Sequence, residues 1–167
     1  ILAYCIGTTG WFGMSVNLML LFSFQVFYGY AYQMLGLLTS IFMAGIALGG
    51  WFISSRRENL GNGMLLFIKL EAAIVLFCLI LGVSVYSGSE FFARFPGVLS
   101  ALFFVPGILV GLEFALASKL YLKSKEQIGE AAGLLYFADL LGGWAAGLLT
   151  GVVFLPVLGM FNTGHKN

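Results

Sequence analysis

Four ionisable side chains interrupt otherwise apolar stretches of this chain: Lys69, Glu71, Glu113 and Asp139. A charge in hydrocarbon is expensive, so such residues face a partner or a water-filled cavity, and they mark ion and proton paths. At about 1.5 Å of rise per residue, Lys69 is expected about 8 Å inside one membrane face, Glu113 about 9 Å and Asp139 about 12 Å. That places charges from three segments in one layer. Lys69 and Glu71 are turned about 200° apart on a helix, so they cannot both serve one cluster. The expectation is that Lys69 pairs with Asp139 or Glu113, with Glu71 nearer the interface. Two chemistries fit: a structural ion pair with snorkelling, or a polar cavity that binds a cation or carries protons. Asn17 and Gln25, two turns apart, would either join that cavity or serve as interhelical hydrogen-bond glue.

Other chemistry finds no support. His165 stands alone in a polar tail, so neither a metal cluster nor a Ser/His/Asp or Cys/His set can be assembled there. Cys5 and Cys78 form no CxxC pair and read as two small apolar residues. No glycine loop follows a strand to cradle a phosphate. The expectation is a non-catalytic chain with no cofactor and with bound lipids.

The elements that must position these residues are membrane spans. Of 167 residues, 60% are hydrophobic and 9% charged, against about 25% charged in a soluble domain. So few charges cannot coat a water-soluble globule, and most of the surface must face lipid. The 17 Phe and 23 Gly agree, since both suit membrane helices. A net charge of +1 offers no basic field for nucleic acid. A spanning helix needs about 20 mostly apolar residues. Five segments qualify, roughly 11–32, 36–54, 64–86, 97–118 and 131–155. The fold class is an all-α polytopic transmembrane bundle, a single domain over 1–167. Gly7-Thr8-Thr9-Gly10 is expected to separate residues 1–6 from the first span, and Gln33 and Met34 to lie in the turn after it. The chain opens on Ile1 and stops soon after its fifth apolar segment, so an ordered stretch of a longer protein is expected.

Orientation follows from the Lys/Arg bias of the connections. Arg56, Arg57, Lys119, Lys123 and Lys125 lie in two connections on one face, against Arg94 on the other. Segments 55–63 and 119–130 are therefore expected to be cytoplasmic. Trp51 and Tyr121 suit the inner interface, and Tyr28, Tyr30, Tyr32 and Tyr86 the outer one.

Lipid tails are as apolar as leucine, so helices associate by close backbone approach, which needs small residues four apart. The candidates are Gly45 and Gly49, Gly107 and Gly111, and the run Gly143, Gly147 and Gly151. The last is expected either to pack inside the bundle or to dock another subunit. Pro106 and Pro156 are expected to kink or end their helices.

The stretch GMSVNLMLLFSFQVFYGYAYQMLGLLTSIFMAGIALGG, from Gly13 to Gly50, resembles the opening hairpin of the membrane domain in bacterial spermidine-synthase-like integral membrane proteins. LLYFADLLGGWAAGLLTGVVFLPVLGM resembles the same domain's run Ala138-Asp139-Leu140-Leu141-Gly142 leading into a Pro-Leu-Gly end. The resemblance covers most of the chain and is weakest in the third and fourth segments. It implies a membrane fold in the bacterial inner membrane, often fused to an aminopropyltransferase-like domain. No strand–glycine-loop–helix unit of such a domain occurs in this sequence.

Three functions follow. The first is a non-catalytic membrane subunit that packs against other integral membrane subunits of a larger complex. The second is a transporter or half-transporter for a small cationic solute, motivated by the charge layer. The third, implied by the resemblance alone, is the membrane anchor of a polyamine-synthase-like enzyme.

Overall fold

The computed structural model describes residues 2–28, 32–55, 63–86, 96–122 and 128–154. Helix α1 spans Leu2–Tyr28, α2 Tyr32–Ser55, α3 Gly63–Tyr86, α4 Pro96–Leu122 and α5 Ile128–Leu149, the last continuing as a π-helical turn over Thr150–Phe154. The described residues contain no strand. All five helices are long and apolar enough to cross a membrane. Where no water reaches the backbone, a helix satisfies its own N–H and C=O groups, and each of these segments is apolar enough to require that.

The first helix is longer than the sequence suggests. Gly7-Thr8-Thr9-Gly10 does not interrupt it, and α1 runs unbroken for 27 residues, about 40 Å. The threonine hydroxyls stay within the helix: Thr8 donates to the Cys5 carbonyl at 2.7 Å and Thr9 to the same oxygen at 2.9 Å. The glycines are tolerated because another helix packs on them. Gln33 and Met34 lie in the first turn of α2 rather than in the connection before it. Pro106 does not end its helix but sits fully buried inside α4, a position that membrane helices tolerate when packed against neighbours. Arg56, Arg57, Arg94, Lys123, Lys125, Pro156 and His165 lie outside the described residues.

The most extensive contacts join α1 to α5 and α2 to α4, and α4 also receives α1 and α3. Both close pairs run parallel. Along α2 and α4, Phe42 meets Gly107, Ile46 meets Gly111, and Gly49 meets Leu112. Along α1 and α5, Gly7 meets Gly142 and Met14 meets Gly147. Parallel pairing of first with fifth and second with fourth is what alternate membrane crossings produce.

Glycine sets the spacing of α2 on α4. A Cβ added at Gly45 would lie 2.6 Å from the Phe104 carbonyl oxygen, and one at Gly111 would lie 2.9 Å from the Ile46 Cα. Neither backbone can yield. The seam expected from Gly45, Gly49, Gly107 and Gly111 is therefore the α2–α4 contact. On α5 the tight contact lies elsewhere than at Gly143, Gly147 and Gly151. It is Gly142 that presses on the Gly7 carbonyl, while Gly143 and Gly147 make ordinary van der Waals contact near Met14 and Gly151 meets nothing within 4 Å.

Two apolar clusters form the core. Phe12, Val16, Leu20, Phe24, Leu38, Phe42, Ile74 and Phe103 make one. Ile6, Ile53, Phe67, Leu116, Ala117 and Leu135 make the other. At the end of the second cluster, Lys119 of α4 donates from Nζ to the Ile53 carbonyl and, at 3.2 Å, to that of Ser54. These are among the last carbonyls of α2, which have no partner within their own helix, and a cation there also complements the helix dipole. Lys119→Met is expected to weaken the last turn of α2 by about 1–2 kcal/mol, read as faster amide exchange at 52–55 with the rest of α2 unchanged.

Candidate functional site

Between the two clusters lies a polar layer. On α1 Thr9 sits between Ile6 and Phe12, on α3 Glu71 sits between Phe67 and Ile74, and on α4 Glu113 precedes Leu116 by one turn. Helical periodicity aligns them, since residues three and four apart share a face. The core-facing edge of α3 is Phe67, Glu71 and Ile74, and Lys69 is turned about 200° away from Glu71.

That rotation overturns the expected ion pair. Lys69 is exposed on the outer side of α3, and the described residues show no bond between it and Asp139 or Glu113. Glu71, expected near the interface, is instead the residue that α3 brings to Glu113. Both are acids. Glu113 is completely buried, and neither carboxyl oxygen has a hydrogen-bond partner among the described residues. Its carboxyl faces Glu71 and Thr9, close enough for a longer side-chain bond to each, though neither meets strict hydrogen-bond geometry. Thr9 is itself buried, and its hydroxyl proton is committed to the Cys5 carbonyl.

Asp139 is placed apart from this layer. It packs in the α1–α5 seam over Gly10, where an added Cβ would fall 2.6 Å from Asp139 Oδ1. The face of α1 that meets α5 carries Gly7, Gly10 and Met14, and Thr9 lies about 100–160° around the helix from them. Asn17 does not join the layer either. It stands about 12 Å along α1 from Thr9, buried, with Oδ1 unbonded among the described residues. Gln25 is half-buried farther along the same helix.

A cleft opens where α1 and α3 pack on α4 more closely than on each other. Its volume is about 250 Å3, and its walls include Thr8, Thr9 and Phe12 of α1 and Glu71, Val75 and Leu79 of α3. Farther along, an edge-to-face contact between Phe12 and Phe77, with ring centroids 6.4 Å apart, ties the two helices together. The cleft is apolar but for the threonine hydroxyls and the Glu71 carboxyl, and Glu113 lies against the latter. Sequence reasoning missed Thr8 and Thr9, having read them as part of a break. Their signal was present: two hydroxyls three and four residues after Cys5 can each bond its carbonyl and remain helical.

The described residues hold no group of three or more His, Cys, Asp or Glu side chains placed to share a metal ion. No family model, no curated protein and no solved structure matches the chain.

Proposed function

We propose that this chain is the membrane module of a larger assembly: a non-catalytic bundle that packs through the outer face of α5 against further transmembrane helices. The observation that supports this most is the unused glycine on that helix. Gly133 and Gly151 have nothing within 4 Å of where a Cβ would be, and with Leu140 and Trp144 they share one face at about 100° per residue. Glycine inside a helix costs roughly 0.5–1 kcal/mol relative to alanine, and in membranes small residues occur where a second backbone comes close. Trp144 is 65% exposed on this face.

The resemblance to spermidine-synthase-like membrane domains supports the same reading and gives the assembly a specific form, a membrane anchor for a polyamine-forming enzyme. It also favours the bacterial inner membrane, while the Lys/Arg bias of the connections favours segments 55–63 and 119–130 toward the cytoplasm. The Lys119 contact with the end of α2 is consistent with those two connections sharing one side.

Gentle detergent extraction from the native membrane, followed by mass spectrometry of what co-migrates, tests the proposal. Further membrane-spanning segments are expected, as separate chains or as extra mass on this one. A monodisperse particle of this bundle alone would sink it.

A further inference from the structure

We propose that Glu113 and Glu71 form a carboxyl pair that holds one proton between α4 and α3, and that Glu71 exchanges this proton with water entering the cleft. The pair is then a proton-binding site inside the bundle, and it does not depend on the assembly reading.

Glu113 is completely buried in α4, and its carboxyl faces two side chains, Thr9 of α1 and Glu71 of α3. Thr9 gives its one hydroxyl proton to the Cys5 carbonyl at 2.9 Å, so it offers Glu113 an oxygen. An ionised Glu71 offers only oxygens as well. An ionised Glu113 would therefore meet acceptors alone, where a buried charge without a counter-charge is costly. A proton on Glu113 turns its carboxyl into a donor, and either neighbour then accepts it. Facing carboxyls share one proton for this reason, since both cannot ionise side by side. Glu71 keeps the negative charge because it borders the cleft, where water solvates it. Both contacts of Glu113 are longer than strict hydrogen-bond geometry, so they hold the proton without tying the helices tightly.

Among the described side chains no base faces the pair. On α3 Lys69 is exposed on the side turned away from Glu71, and on α4 Lys119 reaches the end of α2. Helix α2 contains no Asp, Glu, Lys or Arg. On α5 Asp139 packs over Gly10 in the other seam of α1. Cys5, one turn before Thr9, is the remaining titratable group near both acids, and a thiol donates only weakly. The cleft supplies the path. Its volume of about 250 Å3 has room for water, and its walls set the Thr8 and Thr9 side chains opposite Glu71. In the exchange Glu113 passes its proton to the Glu71 carboxylate. Glu71 trades that proton for one from cleft water, and the replacement returns to Glu113, so the charge of the pair is unchanged.

The test is infrared spectroscopy of the full chain in lipid nanodiscs at neutral pH, before and after transfer to heavy water. Isotope-labelled glutamate separates the bands of interest from that of Asp139. A protonated-carboxyl band is expected in the unmodified chain, shifting as deuterium replaces the proton. Glu113→Gln should remove that band. Glu71→Gln keeps the buried acid and removes its exchange partner. The band should then remain, move to the frequency of a weaker hydrogen bond, and take up deuterium at least about tenfold more slowly, as loss of an acid–base relay implies. Val75→Trp covers the cleft with both acids in place and should slow the uptake by a similar factor. Unfolding would expose the acid and speed the uptake, so slowing cannot come from a variant that fails to fold. Absence of the band from the unmodified chain, its persistence in Glu113→Gln, or uptake no slower in both Glu71→Gln and Val75→Trp would each overturn the proposal.

Discussion

Gly111→Leu is expected to disrupt the bundle more than any other single change. A Cβ at this position would fall 2.9 Å from both the Cα and the carbonyl carbon of Ile46, and closer still to the Ile46 oxygen. All three are backbone atoms in the middle of α2, so no side chain can swing aside. The two helices must separate, and the neighbouring contacts of Gly45, Gly49 and Gly107 open with them. Overpacking of a well-packed core costs about 1–3 kcal/mol and occasionally more; a backbone clash belongs at the upper end, about 3 kcal/mol. Gly142→Leu should behave alike, because Gly142 presses on Gly7 in the α1–α5 seam. Gly133→Leu, with open space around it, should leave the stability of the isolated bundle within about 0.5 kcal/mol of the parent once helix propensity is allowed for. Unfolding in mixed micelles by added denaturing detergent measures all three. Equal loss in Gly111→Leu and Gly133→Leu would show that the glycine seam does not set the spacing.

Glu113→Met should do the opposite and stabilise the chain. Methionine fills a similar volume and adapts to irregular space, while it removes two buried oxygens that meet no partner at strict hydrogen-bond geometry among the described residues. Relieving an unsatisfied buried polar group is worth about 1–3 kcal/mol. Activity that needs a destabilised site trades against stability, which connects this result to the cleft beside it. The measurement is the same unfolding midpoint. A fall of similar size would mean that Glu113 already has partners that hold the helices together, and the carboxyl layer would then be structural.

Much of this architecture is legible in the sequence, because length and apolar composition alone define a membrane span. The seam between α2 and α4 was legible too, since Gly45, Gly49, Gly107 and Gly111 repeat at a spacing of four. The α1–α5 seam was hidden because Gly7 and Gly10 flank two threonines and look like a break, and because Gly142 lies one residue outside the repeat of Gly143, Gly147 and Gly151. The charge layer was half legible. Helix rotation showed that Lys69 and Glu71 face apart, but it did not say which side of α3 is inside. That helix is apolar all round, with a mean hydropathy of 2.6 over its candidate span, so no polar face marks the lipid side. Only the packing of Phe67 and Ile74 against the core decides it, and it decides for Glu71.

The central claim is that the outer face of α5 meets protein, and site-directed photo-crosslinking in native membranes tests it most directly. A photoreactive residue at Trp144, on that face, is compared with one at Leu76, 59% exposed on α3. Adducts to another transmembrane segment from position 144, with only lipid adducts from position 76, are the predicted result. Lipid adducts alone from both positions would contradict the account.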